Sequence, residues 1–420
     1  MESNLLECEI SKKIYRFIDK DLSNKVVPLM KDLIRLESYS EKKGCEKAIA
    51  NYLRNYFYNI GCDVTLREVA PGRPNVIASI GKKGGFTLMF NAHLDTVPPG
   101  NWYNNKPFQA VFENGRIYGR GAVDMKGPIT SCLLAFTSLV QFVKDSLKGR
   151  LVFTGVVGEE GSASMGTHEI VQNGPMPDFV IVCEPTNLNI AISQKGSATF
   201  DVSFKGLAAH SSKPEMGENA IKLATEFISL HFRSFYKKFS PFRDPLLGAA
   251  TLVPVGIQGG GRNDTIPDSC SVKLNCRYTS KINLKVIEDY LIDIAKNVCE
   301  KYDHCHFEVS QLVRELDWKL PEKKVFNALP FITPRDSLIV KSLEKCITEV
   351  TSQKPKNIGV SYWSDAGIFG GSAKVPTVIF GPGQIEVAHS PKEYIELTQI
   401  ITAAKILSSV ALKICYLKKT

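Results

Sequence analysis

Residues 86–95 read Phe86-Thr87-Leu88-Met89-Phe90-Asn91-Ala92-His93-Leu94-Asp95, an apolar run that delivers a histidine and an aspartate at its far end. A short, continuous apolar run of this kind reads as a strand buried on both faces. Three more follow the same plan. Leu151–Val157 leads into Gly158-Glu159-Glu160-Gly161, and Phe179–Cys183 leads into Glu184-Pro185-Thr186. Thr377–Phe380 leads into Gly381-Pro382-Gly383 and then His389. Around them, Lys25–Tyr39, Glu46–Ile60, Pro128–Leu147, Ser337–Val350 and a last segment from Leu397 carry the marks of apolar-faced helices, and Asp63–Val69 and Asn75–Ile80 read as strands. Buried strands alternating with helices give an α/β class, built on a mostly parallel sheet with flanking helices.

From Gly196 the pattern changes. Thr199–Phe204 alternates as a half-exposed strand, Asn219–Tyr236 is an amphipathic helix, and Ala250–Ile257 and Ser271–Arg277 are strands. A second helix, Asn283–Val298, and a strand, His306–Leu312, complete the order βαββαβ of a small α+β sandwich, ferredoxin-like in type. After Asp336 the first pattern returns. The expected organisation is a discontinuous domain, 1–194 and 313–420, interrupted by an inserted domain at 195–312.

The composition belongs to a globular protein: of 420 residues, 44% are hydrophobic, 23% charged and 9% aromatic. No apolar run approaches the roughly 18–20 residues of a bilayer span, and the acidic N-terminus lacks an apolar signal core. Eleven cysteines, an odd number without paired spacing, imply reduced thiols and a cytoplasmic address. The net charge is +9, but its basic residues occur as scattered doublets such as Lys12-Lys13. That pattern excludes a nucleic-acid stripe and fits a solvated surface that attracts small anions. Gly259-Gly260-Gly261 is a tight turn, with no Lys-Ser/Thr pair after it to hold a phosphate. His304-Cys305-His306 lacks a second ligand pair and reads as structural, and the apolar stripe from Ile400 reads as a helix docked on the sheet, not on a membrane.

In an open α/β sheet, ligands bind outside the carboxyl ends of the strands. The four runs thus bring His93, Asp95, Glu159, Glu160, Glu184 and His389 to one edge, and the loop Gly119–Gly127 can add Asp124. Like charges ~4 Å apart repel by about 4 kcal/mol at an effective dielectric near 20, so the cluster needs multivalent cations. Mixed imidazole and carboxylate donors suit zinc, with cobalt or manganese as substitutes. Two zinc ions would balance Asp124, Glu160, Glu184 and one hydroxide. Two carboxylates are then left over. Asp95, two residues beyond His93 on an extended chain, faces the same way and can hold the second ring proton of that histidine. Glu159 faces elsewhere than its neighbour and can take a proton from water.

His93-Leu94-Asp95, Gly119–Gly127 with Asp124, Glu159-Glu160, Glu184-Pro185-Thr186 and His389 resemble, in order and spacing, a known family. It is that of the dinuclear-zinc amidohydrolases and exopeptidases, including acetylornithine deacetylase, succinyl-diaminopimelate desuccinylase, aminoacylase and glutamate carboxypeptidase. The resemblance covers nearly the whole chain. It implies a zinc-exopeptidase-like fold, with His93, Asp124 and Glu184 on one zinc and Asp124, Glu160 and His389 on the other. It also implies Glu159 as general base for a metal-bridging water that cleaves the amide of an N-acyl amino acid. The segment Gly206–Ser212 resembles the family's lid motif, in which His210 would steady the oxyanion, often across a homodimer formed through the inserted domain. Asn263 and Arg277 would hold the substrate's carboxylate. The stretch Ser361–Gly367 departs from the Thr-Glu or Thr-Asp of deacetylases and leaves the side-chain preference open. A dipeptidase or glutamate-type carboxypeptidase, and a non-catalytic metal-binding protein, are the alternatives.

Overall fold

A computed structural model describes residues 2–42, 44–82, 84–161, 163–261, 263–312 and 328–416. The expected return to the first domain at 313, and Arg262, lie outside these residues. In chain order, α1 (Glu2–Phe17), α2 (Val26–Arg35) and α3 (Lys47–Asn59) precede the hairpin of β1 (Asp63–Ala70) and β2 (Arg73–Gly81). Then come β3 (Thr87–His93), the short β4 (Val111–Glu113) and β5 (Arg116–Tyr118), α4 (Gly127–Val143) and β6 (Arg150–Val156). Next are α5 (Met165–Asn173), β7 (Phe179–Val182) and β8 (Ile190–Gln194). The second region holds β9 (Gly196–Lys205), α6 (Ala220–Phe239), β10 (Thr251–Gly259), β11 (Ser269–Tyr278), α7 (Leu284–Cys299) and β12 (His306–Leu312). The chain closes with β13 (Phe331–Ile332), α8 (Leu338–Thr351), β14 (Asn357–Val360), β15 (Thr377–Ile379), β16 (Tyr394–Glu396) and α9 (Leu397–Cys415).

The main sheet runs β1-β2-β6-β3-β7-β15-β8-β13, with β14 also on β8. Its centre, β6-β3-β7-β15, is parallel, and antiparallel strands flank it on both sides. Register sets the site. His93 pairs with Val156, and Asn91 pairs with Val182. The ends of β3, β6 and β7 therefore leave the sheet side by side, and the residues that follow each strand emerge at one edge. Strand alternation divides the apolar side chains between two layers. Leu88, Phe90, Leu151 and Phe153 pack into the core beneath α4 and α9, whereas Met89, Val152, Val156 and Val180 pack against Ile170 and Phe369.

Two sequence expectations need correction here. The segment Ala122–Val143 and α9 are long and apolar enough to cross a membrane, but 78% and 61% of their most apolar windows are buried inside the protein. They are the helices that cover the sheet, joined by Ser138 Oγ to Ser408 Oγ at 3.1 Å. Nine cysteines are free, whereas Cys299 and Cys305 form a disulfide. The turn after α7 brings their Cα atoms to 5.0 Å, inside the range that a disulfide spans.

The second region builds its own sheet, ordered β10-β11-β9-β12 with every neighbour antiparallel, and α6 and α7 pack on it. Asn219 caps α6 by accepting from the N–H groups of Ile221 and Lys222, and Asn283 caps α7 through Lys285. Phe200, Phe204, Phe227, Phe235 and Phe239 fill a core separate from those of the main sheet. Burying each of these rings contributes roughly 2–3 kcal/mol.

Candidate metal centre

The loop from Gly119 to Gly127 crosses the edge of the sheet and carries Asp124 inward. Gly121 makes the crossing possible: its φ is +80°, and a Cβ there would sit 2.7 Å from Thr96 Cγ2. A carboxylate from the end of the chain fixes this loop. Glu393 accepts the N–H groups of Gly121, Val123 and Asp124 at 3.0, 2.9 and 3.1 Å, and pairs with Arg120 at 2.7 Å.

Asp124 lies between two imidazoles. Its Oδ1 is 2.8 Å from His93 Nε2, and its Oδ2 is 3.1 Å from His389 Nε2. Glu184 Oε1 stands 3.6 Å from the same nitrogen of His93, and Glu160 Oε1 stands 3.0 Å from that of His389. Ligand atoms of His93, Asp124 and Glu184 fall within 4.8 Å of one another, as do those of Asp124, Glu160 and His389. A third grouping, His93 with Glu159 and Glu160, sets the Glu159 carboxylate against the same space. Each of the first two triads combines one imidazole with carboxylates and shares Asp124, a donor set that suits a pair of zinc-like ions.

The role expected of Asp95 is corrected. His93 Nδ1 hydrogen-bonds the main-chain carbonyl of Asp95 at 2.8 Å, while the Asp95 carboxylate stays 3.8 Å away. That carboxylate instead accepts the N–H groups of Glu159 and Glu160 at 3.1 and 3.0 Å. The reason is the tight Gly158–Gly161 turn, whose unpaired N–H groups point at the nearest acceptor. Asp95 thus still orients His93, through its backbone, and its side chain shapes the turn bearing the two glutamates.

Burial and mutual charge shift these groups in opposite directions. Burial opposes charge on His93, yet the carboxylates of Glu184 and Asp124 outweigh it and hold the ring's pKa well above its ordinary value. His389 is pushed up to about 10 by its hydrogen bonds to Asp124 and Glu160. Burial raises Asp124 too, but the hydrogen bonds from His389 and His93 dominate and bring it below the usual carboxylate range. Burial, reinforced by neighbouring carboxylates, raises Glu159 and Glu184, and burial lifts Asp95 to about 7. These opposed shifts mark the charge that a divalent cation would balance when bound.

The three remaining expected site residues lie in the second region. His210 is exposed, with its Nδ1 2.8 Å from Ser212 Oγ, and it bridges to Thr265. Ser211 donates to the carbonyl of Asp264, so His210 and Asn263 occupy adjoining loops. Arg277 lies on β11 opposite Ser197 and Thr251. The hydrogen bond and bridge of His210 thus lie within the second region.

Two groups escaped the sequence reading. Asp365, 1% exposed, adds its charge to Glu159 and Glu184. It sits inside Ser361–Gly367, where a carboxylate among small residues was the available signal. Glu393 follows His389 by four residues, and only the folded loop shows which N–H groups it receives.

Residues 89–413 match the profile of "Peptidase family M20/M25/M40". The chain is 28% identical over 381 residues to the acetylornithine deacetylase of Buchnera aphidicola subsp. Schizaphis graminum, covering 88% of this chain and 92% of that protein. It is 26% identical over 442 residues to the N-formyl-4-amino-5-aminomethyl-2-methylpyrimidine deformylase of Halalkalibacterium halodurans, covering 99% and 100%. In three dimensions it resembles a tripeptidase from Staphylococcus aureus with a TM-score of 0.76 at 18% identity, over 94% of this chain and 99% of that one.

Proposed function

The chain belongs to peptidase family M20/M25/M40, a family of metal-dependent amidohydrolases and peptidases, and on that premise we propose that it cleaves the amide bond of N-acyl amino acids. Acetylornithine and succinyl-diaminopimelate types are the leading substrates. The observation that carries the reading is Asp124, whose two oxygens face His93 and His389 on opposite sides. A ligand shared by two ions would use both. The proposed cofactor is two zinc ions per chain, with cobalt or manganese as substitutes. His93, Asp124 and Glu184 would hold one, and Asp124, Glu160 and His389 the other. When bound, the ions supply Lewis-acid polarisation of the scissile carbonyl and a water acidified toward neutral pH.

The protein's own groups do the rest. Glu159, raised by burial, takes a proton from the attacking water and passes it to the leaving amine. Asp95 keeps Glu159 and Glu160 in place through their N–H groups. Asn263 and Arg277 hold the substrate's carboxylate, and His210 donates to the developing oxyanion. Because His210 is exposed, with its contacts to Ser212 and Thr265 of its own region, the complete site is assigned to a homodimer through the region 195–312, which acts as lid and dimerisation domain. The open edge strand β10 supports this, since it exposes Val253, Val255 and Ile257. Nine free cysteines, eight of them buried, support a cytoplasmic location.

The test is a panel of N-acetyl, N-succinyl and N-formyl amino acids and dipeptides, offered to protein loaded with zinc, cobalt or manganese. Hydrolysis confined to the N-acyl amino acids is the expected result. Cleavage of dipeptides alone would make the protein a dipeptidase. Two metals per chain without turnover would make it a non-catalytic metal-binding protein.

A further inference from the structure

Beside the cluster, an open cavity of about 370 Å³ lies between the segment after Glu184 and the loop that leads to His389. That volume is within the roughly 300–1,000 Å³ typical of small-molecule sites. Ile358, Val360 and Ile385 form apolar walls. Tyr362 stands at the junction with the metal ligands. Its hydroxyl donates to the Pro185 carbonyl at 3.2 Å, and the group lies within electrostatic reach of Glu184, Asp124 and Glu386. Among the described residues, Glu386 is the only charged side chain lining the cavity. It is exposed and forms no ion pair with a described lysine or arginine.

The geometry points to a specificity pocket that takes an aliphatic chain ending in an ammonium or guanidinium group, with Glu386 as the counter-charge. The inference rests on the deacylase reading of the adjoining centre and narrows it. An apolar stem with a charged tip matches the cavity: methylenes lie against Ile358, Val360 and Ile385 while the cation reaches Glu386. A chain ending in a carboxylate meets a like charge there and finds no lining cation among the described residues to answer it. Side chains of the ornithine and lysine type are therefore favoured over glutamate. Because Glu386 is solvated, the preference is moderate, since an exposed ion pair changes affinity by about two- to fivefold.

The experiment compares kcat/KM of the zinc-loaded protein on N-acetylornithine and N-acetyllysine with that on N-acetylnorvaline, N-acetylnorleucine and N-acetylglutamate. The wild-type protein is expected to prefer the cationic substrates about two- to fivefold over the neutral counterparts that lack the terminal amino group. In Glu386→Gln the ratio falls to about one, and in Glu386→Lys it turns toward N-acetylglutamate. Zinc content and melting temperature show whether each variant is folded. An equal rate on cationic and neutral substrates, or a ratio unchanged in Glu386→Gln, overturns the pocket. Should no N-acyl amino acid be hydrolysed, the deacylase reading fails by itself. Calorimetric titration with ornithine and norvaline then decides the pocket separately: tighter ornithine binding that Glu386→Gln abolishes supports it, and equal binding overturns it.

Discussion

Glu393 and Arg120 form a buried ion pair, 2.7 Å apart, beneath the loop that carries Asp124. The pair does more than neutralise itself. Arg120 Nη2 reaches toward the carbonyl oxygens of Pro99 and His389 at 3.3 and 3.4 Å, while Glu393 receives three N–H groups of the Asp124 loop. The two imidazole-facing ligand segments are thus tied to one another away from the ligand atoms. His389 itself has φ +59°, a conformation that a non-glycine residue keeps only where its surroundings impose it. Glu393→Gln removes the counter-charge of a buried guanidinium and should cost about 3–5 kcal/mol in urea unfolding. The same variant should weaken zinc binding at least about tenfold, because the Asp124 and His389 segments lose their tie. Unchanged unfolding and zinc titrations would make the pair dispensable.

Glu159 belongs to neither triad that shares Asp124, yet it is buried against both. Glu159→Ala should retain two zinc ions, measured by metal analysis, while kcat falls by a factor of about 10²–10⁴, the range for loss of a general base. A variant that loses metal in proportion to activity would make Glu159 a ligand, and unchanged turnover would end its assignment as base.

Most of the site residues legible in the sequence share one property: they follow a buried strand directly. His93, Glu159-Glu160 and Glu184 come off β3, β6 and β7, so their convergence follows from sheet register. Asp124 and His389 were legible from loops of recognisable pattern. What local pattern does not carry is which atom a side chain satisfies. Asp95 was expected to hold a ring proton with its carboxylate, but two strong donors on the Gly158–Gly161 turn claim that group, and the carbonyl serves the histidine. Glu393 acts on a loop some 270 residues earlier, and no spacing rule reaches that far. Strands β8 and β14 are four to five residues long and, unlike the equally short β7 and β15, are not continuous runs of large apolar residues, and β13 has only two residues, so no strand pattern declares itself.

His389 links metal binding to pH. In the metal-free protein its pKa is raised, chiefly by the hydrogen bond to Asp124, to about 10. A histidine whose folded pKa exceeds its unfolded value adds stability below the unfolded pKa, and that stability fades as pH rises through the folded one. The melting temperature of chelator-treated protein should therefore fall between about pH 7 and pH 10, and His389→Gln should flatten that slope. Zinc requires the neutral ring, so its affinity should rise over the same interval and its binding should release protons. Calorimetry in buffers of different ionisation enthalpy counts those protons. Binding without proton release would place the metal on other ligands.

His210 provides the test of assembly. Within one chain it lies exposed beside Ser212 and Thr265, in the region whose edge strand β10 presents Val255 and Ile257, 58% and 52% exposed. If two copies pair through that region, each site takes its Glu159 from one subunit and its His210 from the other. Glu159→Gln and His210→Ala homodimers are then each defective at both sites. When they are mixed and allowed to exchange, half of the dimers are hybrids, and each hybrid holds one intact site of two. The mixture should recover about a quarter of wild-type activity. Val255→Lys with Ile257→Lys should shift the protein to monomer in size-exclusion chromatography and abolish this recovery, because a charged edge strand resists pairing. No recovery on mixing, in a protein that sediments as a dimer, would return His210 to its own chain's site.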